Sequence, residues 1–487
     1  MVAPGAPALP DLARLLPAGY AAYRPLLQAA APFFLSRLPP ARRQEILITQ
    51  LVLPGGPASP ARIVALLRQC PTLHKLGQML ARDRRLAPAL RRELRRLESL
   101  PPATAVEDML PALHSALGGK LPFRLGPRAL AEGSVAVVLP FRHGREHAEG
   151  VLKIPRPGIA ERIESEIAAW EALCPFLAET GANLGLPELP YAETFAALAG
   201  QLRAELDPER EQQHLAAAAS LYDGSPLRVP ALLPWCAPGV TAMTRLRGRR
   251  LSDADDTGTR QRATLLAQGL LARPFWHDDE PALFHADPHA GNLIALDDGG
   301  IGVIDWAMSA LVTRHRREAL MRIALGGLTL DAPLLRRGLA ALFDRTDIPG
   351  PALDAALAEV AHGALPGIAW ALRLLDRCAI LLGASLAPDL LLLRKTLANL
   401  TRVLDDLTPG FRADEVLVAE GMARVLGELP LRLATPLAAG DWPSRLAPAE
   451  LWGLALALPD LGRRAWCYRR LGTPADDPLA APDAYVA

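Results

Sequence analysis

The chain has 487 residues, half of them apolar, and 53 basic against 52 acidic side chains leave a formal net charge of +1. That length gives room for about three domain-sized units with real cores, and the even charge balance excludes the broad basic field of a nucleic-acid binder. Cys70, Cys174, Cys236, Cys378 and Cys467 are widely spaced, with no CxxC or Cys/His pattern, so neither a disulfide framework nor a zinc site is expected. The N-terminus lacks a basic stretch before an apolar one, and no uncharged apolar run reaches ~18 residues. The expectation is a cytoplasmic protein without spanning helices, peripheral at most to the inner face of a membrane.

Residues 1–61 are rich in Ala, Leu and Pro and read as a segment of short helices, such as Asp11 to Leu16 and Pro25 to Leu38, that prolines keep short. Within it, Pro32-Phe33-Phe34-Leu35 could either touch a membrane surface or pack on its own domain. Residues 62–120 form a helical extension, interrupted near Pro71 and Pro88. Between 121 and 250 the pattern changes to short β-like runs, Val135 to Phe141, Val151 to Ile154 and Val240 to Leu246, mixed with helices: a small mixed lobe. Residues 251–412 are mainly helical around one strand-loop-strand segment, and 413–487 form a Pro-punctuated helical tail.

The strand-loop-strand segment, Phe284 to Trp306, is the most informative. His285 and Asp287 are followed by Asn292 five residues after the Asp, and Asp305 lies thirteen further on, at the end of an apolar run. A kinase-type phosphotransfer site has this layout. One Asp on a tight loop orients or deprotonates a hydroxyl, while an Asn and a second Asp hold Mg²⁺ against ATP phosphates through oxygen ligands. Upstream, Lys153 ends the apolar run Val151-Leu152, where an ammonium can reach phosphates while its stem stays packed. Before it stand Gly133 and Ser134, read either as a small-residue loop over phosphates or as an ordinary turn. Among 53 basic residues only Lys75, Lys120, Lys153 and Lys395 are lysines, so lysine is used sparingly where a compact charge suits phosphate. Lys120 and Lys395 fall in no motif and are expected on the solvated surface.

Two more segments complete a pattern. Lys75-Leu76-Gly77-Gln78 reads KxGQ, and Glu205-Leu206-Asp207 begins ELDPERE, ending at Glu211. With the HxDPHxGN segment, Asp305, the KIPRPGI run from Lys153 and the LDDLTPGF ending of Leu391 to Phe411, these resemble the UbiB family of atypical kinases, linked to ubiquinone biosynthesis. The resemblance implies an α+β, bilobal protein-kinase-like fold with an N-terminal helical KxGQ extension and a mostly helical C-lobe and tail. Lys153 would contact phosphate with Glu211 as its carboxylate partner, although Glu164 and Glu166 are nearer in sequence and helical spacing does not choose among the three. Asp287 would be the catalytic-loop aspartate, and Asn292 and Asp305 the Mg²⁺ ligands. ATP would lie between the lobes, with adenine against backbone near Met243 to Leu246. Lys75 and Gln78 would form a family-specific lid meeting Glu205 and Asp207; independently, Asp207 and Pro208 read as a helix N-cap and N1.

The chain departs from the family's pattern at Glu132-Gly133-Ser134, where an alanine-rich loop is usual, at Asp305-Trp306-Ala307 in place of Asp-Phe-Gly, and at His289-Ala290 in place of His-Pro. After Asp305 only Met308 to Val312 precede a helix-like run from Arg314, leaving little room for a peptide platform. His315 and its neighbouring arginines read as a solvated helix face. The expected function is therefore Mg²⁺-dependent ATP hydrolysis or transfer to a small or lipid-like acceptor, such as a quinone precursor, in ubiquinone or other isoprenoid-lipid biosynthesis. Two alternatives are a small-molecule kinase of the aminoglycoside or choline type and a non-catalytic nucleotide- or lipid-binding scaffold. KxGQ with ELD favours the first reading.

Overall fold

A computed structural model describes residues 9–456 and residue 459, except 58, 82–84, 96, 98–101, 188, 252–257, 279, 361–365, 435–441, 443, 445 and 449. The described residues fall into two units, one comprising the chain up to Gln213 with Ala231–Arg245, the other His214–Pro230 with the chain from Leu246 onward. Cys467 and the end of the expected tail lie outside the described residues.

The first unit opens with helices α1 (Arg24–Arg37), α2 (Pro40–Val52), α3 (Pro60–Gln69), α4 (Pro71–Leu80), α5 (Pro88–Arg95) and α6 (Val106–Leu117). Proline sits first in four of the six, where its missing N–H costs nothing, yet Pro32 and Pro111 lie inside α1 and α6. Leu26, Phe34 and Leu35 of α1 are buried against Ile163, Trp170 and Leu173 of α7 (Ile159–Asn183) and Leu198 and Leu202 of α8 (Tyr191–Glu205). Phe33 stacks on Phe176 with ring centroids 4.3 Å apart. The apolar Pro32 to Leu35 stripe is thus turned largely into its own unit. In α4, a Cβ at Gly77 would stand 2.7 Å from Leu97 Cδ1 and 2.9 Å from Leu67 Cδ1, so the glycine of KxGQ permits close helix packing.

Five antiparallel strands complete this unit: β1 (Arg124–Leu125), β2 (Ala131–Glu132), β3 (Ala136–His143), β4 (Ala148–Pro155) and, further along the chain, β6 (Thr241–Thr244). Their order is β1-β3-β4-β6, with β2 also paired to β3. Val137, Leu139 and Phe141 of β3 and Leu152 and Ile154 of β4 are buried with Met109 and Leu113 of α6. Side chains alternate along a strand, so Lys153, between Leu152 and Ile154, points from the opposite face. α9 (Pro208–Leu221) follows α8.

The second unit holds a four-stranded sheet of order β5-β10-β9-β7, made from β5 (Leu227–Arg228), β7 (Gly248–Arg250), β9 (Leu293–Leu296) and β10 (Ile301–Val303), and a separate antiparallel pair, β8 (Ala282–His285) with β11 (Ser309–Val312). β5 runs parallel to β10, whereas β9 is antiparallel to both β7 and β10. The helices are α10 (Thr259–Ala267), continued by a π-helical turn, α11 (Arg273–Trp276), α12 (Arg314–Thr329), α13 (Ala332–Leu342), α14 (Gly350–Val360), α15 (Ile368–Leu382), α16 (Pro388–Leu407) and α17 (Ala413–Ala434). The fully buried Arg317 donates to the carbonyls of Pro274, Phe275 and His277 at 3.1, 3.0 and 2.6 Å, satisfying acceptors around the end of α11. Among the described residues no helix is long and apolar enough to cross a membrane.

Lys120 is exposed, as expected, but Lys395 is half-buried in α16 with its ammonium 3.6 Å from Met308 Sδ. Its surface assignment is corrected: the face of α16 that carries it packs inward.

Candidate active site

In the first unit, Lys153 Nζ donates to Glu211 Oε1 at 2.7 Å, and both side chains are largely buried. The two nearer carboxylates are engaged elsewhere. Glu164 receives Arg203 at 2.8 and 2.6 Å on the surface, and Glu166 faces α4. A buried ammonium needs a close counter-charge, and Glu211, in the first turn of α9, supplies it.

Gly133 and Ser134 lie in a tight turn, closed by the Gly133 amide donating to Ala136 O at 2.8 Å. Ser134 is buried. Glu132 accepts from the amides of Ala103 and Thr104 at 2.6 and 2.8 Å and pairs with Arg156 at 3.3 Å. Burial raises the Glu132 carboxyl, but the two amides and Arg156 outweigh it and hold the group below its ordinary value.

The KxGQ helix is fastened at three places. Lys75 pairs with Glu205 at the end of α8, while Gln78 and His74 both direct Nε2 at Leu97 O, at 3.4 and 3.0 Å. Asp207 caps α9 by accepting from Arg210 N at 3.0 Å. At the other end of α4, Glu166 Oε2 accepts from Thr72 N at 3.0 Å and Thr72 Oγ1 at 2.7 Å. Its Oε1 has no hydrogen-bond partner among the described residues, and Arg42 stays 3.9 Å away. Burial therefore dominates and pushes the Glu166 carboxyl up to about 7, against the lowering influence of Thr72 and Arg42.

That shift has a sign. Glu166 is protonated in both folded and unfolded chains below ~4.5, so its cost is fully present only above about 7 and is relieved as pH falls between the two. Raising pH through this window should lower the melting temperature of the native chain more than that of Glu166→Gln, by the equivalent of ~3 kcal/mol at most. Parallel melting curves against pH for the two proteins would remove Glu166 as a buried charge.

In the second unit, His285 ends β8 fully buried. Its Nδ1 accepts from Asp287 N at 3.2 Å and its Nε2 faces Ile304 O at 3.2 Å, which fixes the tautomer with the proton on Nε2. Burial keeps the ring below its ordinary pKa despite Ile304 O and the nearby Asp287 and Asp305. A neutral imidazole thus joins the start of the loop to the residue before Asp305. His289 caps a 3₁₀ turn over Ala290–Asn292, its Nδ1 accepting from Gly291 N at 3.1 Å. Asn292 donates through Nδ2 to Asp287 O at 3.1 Å and accepts through its backbone O from Ile304 N at 3.0 Å. Asp305 has φ of +62°, a left-handed conformation that Asp tolerates better than most residues.

Trp306 is fully buried, its Nε1 donating to Val303 O at 3.2 Å, with its own carbonyl accepting from His214 Nδ1 at 3.1 Å and Ser309 Oγ at 3.3 Å. Met243 is buried in β6, and Leu246 is half-buried beside Gly302 of β10.

Among the described residues no three His, Cys, Asp or Glu side chains form a ready-made metal site. Asn292 and Asp305 nonetheless fit Mg²⁺, which keeps several waters and takes phosphate oxygens beside one or two protein ligands. The amide nitrogen of Asn292 is turned to Asp287 O, which orients its oxygen the other way.

Sequence reasoning missed Asn399. It donates from α16 to Asp287 Oδ1 at 2.9 Å. The signal present was a single Asn among Leu393, Leu397, Leu400 and Val403, a polar residue on a helix face otherwise built for a core.

Residues 121–337 match the family model of the ABC1 atypical kinase-like domain. A protein of Xanthomonas campestris pv. campestris (strain B100) called probable protein kinase UbiB is 28% identical over 420 residues, covering 76% of this chain and 72% of its own. Another of that name, from Haemophilus ducreyi, is 29% identical over 307 residues, 55% of each chain. Among solved structures, the Rv3197–erythromycin complex from Mycobacterium tuberculosis is 19% identical, with a TM-score of 0.45 over 64% of this chain and 82% of that one. The Rio2 kinase–ADP/Mg²⁺–phosphoaspartate complex from Chaetomium thermophilum is 13% identical, with a TM-score of 0.25 over 80% and 99%. These two are distant likenesses.

The chain is thus a kinase-like protein of the α+β class. Its kinase-like domain is of the ABC1 atypical type, and its likeness to the UbiB atypical kinases extends beyond that domain over most of the chain.

Proposed function

We propose that this chain is a Mg²⁺-dependent ATPase or phosphotransferase of the UbiB type that acts on a small or lipid-like ligand, a quinone or other isoprenoid-lipid precursor being the class that the resemblance of its motifs to the UbiB family implies. The observation that carries the reading is the fixed Asp287–Asn292–Asp305 arrangement, in which His285 and Asn292 lock the loop to the strand before Asp305. ATP and Mg²⁺ supply the transferable phosphoryl group and the charge that offsets it. Lys153 would contact phosphate, with Glu211 holding it in place; Asn292 and Asp305 would hold the metal, and Asp287 would orient or deprotonate the attacking oxygen. Gly133 and Ser134 would border the phosphates, and Met243 and Leu246 the adenine.

The chain passes from Asp305 through β11 into α12 within nine residues, Arg314 being the first of the helix, which supports a small acceptor or water over a peptide. A small-molecule kinase shares that feature, but the Lys75–Glu205 pair favours the UbiB reading. ATP turnover by the purified chain, with and without Mg²⁺, tests the proposal. No metal-dependent turnover, alone or with quinone-precursor lipids, would leave a binding scaffold.

The KxGQ contribution is tested separately. Lys75→Glu should set two carboxylates together in a partly buried site, lower the melting temperature and change ATP turnover. Adding Glu205→Lys should recover part of both losses as a coupling in a double-mutant cycle. Strictly additive effects would mean that the pair does not secure α4 and would shift preference to the small-molecule kinase reading.

A further inference from the structure

We infer that Asn399 is a positioning residue for Asp287, selecting which carboxylate oxygen meets the acceptor; this rests on the reading of Asp287 as the catalytic-loop aspartate. The amide of Asn399 donates to Asp287 Oδ1 at 2.9 Å, and Asn399 is itself 6% exposed, so the bond is made away from competing water. Oδ2 lies on the other side, 3.8 Å from His289 Nε2. α16 is presented to the loop over more than one contact. One turn earlier Lys395 reaches Met308, whose carbonyl accepts from Ala286 N at 3.0 Å, immediately before Asp287.

A carboxylate on a loop turns freely about its last torsion, and a hydroxyl must meet one oxygen at hydrogen-bond distance for in-line attack. Asn399 holds Oδ1 and so directs Oδ2 to the acceptor. In the step this serves, the acceptor oxygen bonds to the γ-phosphorus, the bond to ADP breaks, and the acceptor's proton passes to Oδ2. Asparagine suits the task because its amide donates without adding a charge beside the aspartate.

Asn399→Leu, close in volume and suited to a helix core, should lower kcat ~10-fold or more while leaving KM for ATP within about twofold, a loss confined to the reacting geometry. Asn399→Gln, which keeps the amide, should restore part of kcat. The decisive comparison is the Asp287→Asn background, where a residue acting through Asp287 has little left to lose, so Asn399→Leu should cost less than about twofold more. Asn399→Asp, nearly isosteric, repeats the test if the leucine variant does not fold, and should also lose kcat with KM retained. Thr396→Val, which removes only a hydroxyl that donates to Leu392 O within the same helix, should leave both constants unchanged. If the native chain turns over ATP but Asn399→Leu keeps its kcat, or the losses multiply in the Asp287→Asn background, the inference is overturned and the functional reading stands. No turnover by the native chain overturns both.

Discussion

Asp287→Asn should cut ATP turnover by ~10²-fold or more while leaving ATP affinity within a few-fold, the scale of lost acid/base work by a group that binds little of the nucleotide itself. The substitution is nearly isosteric, and the loop is held by backbone and imidazole contacts that it retains: His285 Nδ1 accepts from the residue 287 amide, and Asn292 Nδ2 donates to its carbonyl. Only the carboxylate is lost. An introduced amide can still meet Asn399 through its oxygen, so the loop should keep its place. Turnover by single-turnover and steady-state kinetics, beside nucleotide titration, separates the effects. A variant with native turnover would exclude Asp287 as base and favour a scaffold or another proton acceptor.

The catalytic segment was legible because its residues lie within one short stretch whose spacing follows from a strand, a tight loop and a returning strand. Lys153 was legible for a related reason: an ammonium between two core residues of a strand must face away from the core. Its partner was not. Glu164, Glu166 and Glu211 all occupy helices, and the choice depends on which helix face meets the sheet, a tertiary fact. Glu211 reaches Lys153 while Glu166 binds Thr72, far back in the chain. Asn399 and Lys395 were lost to the apolar pattern of α16, which announces a buried helix but not what lies across from its few polar residues. β5 and β7, of two and three residues, carry no alternation to detect, and the parallel pairing of β5 with β10 depends on the route of the chain between them. Proline was informative where it starts a helix, as Pro71 and Pro88 do at the heads of α4 and α5; Pro32, Pro111 and Pro175 stand inside α1, α6 and α7, where packing offsets the lost hydrogen bond.

Asp305→Asn should abolish Mg²⁺-dependent ATP binding while leaving the fold intact. The backbone at this position has φ of +62°, which Asn adopts at least as readily as Asp, whereas most other replacements would add strain to the loss of charge. The contacts that join the backbone on either side of it run through other groups: His285 Nε2 faces Ile304 O, Ile304 N donates to Asn292 O, and Trp306 Nε1 donates to Val303 O. Thermal stability should therefore stay close to native. What changes is the metal. Mg²⁺ beside a triphosphate needs an anionic oxygen from the protein, and an amide offers the oxygen without the charge. Titration calorimetry with Mg²⁺-ATP and with metal-free ATP gives the test, because loss of the difference between the two is the signature of a missing metal ligand. If Mg²⁺-ATP binds the variant as it binds the native chain, Asp305 is not a ligand and the metal role must pass to another oxygen group.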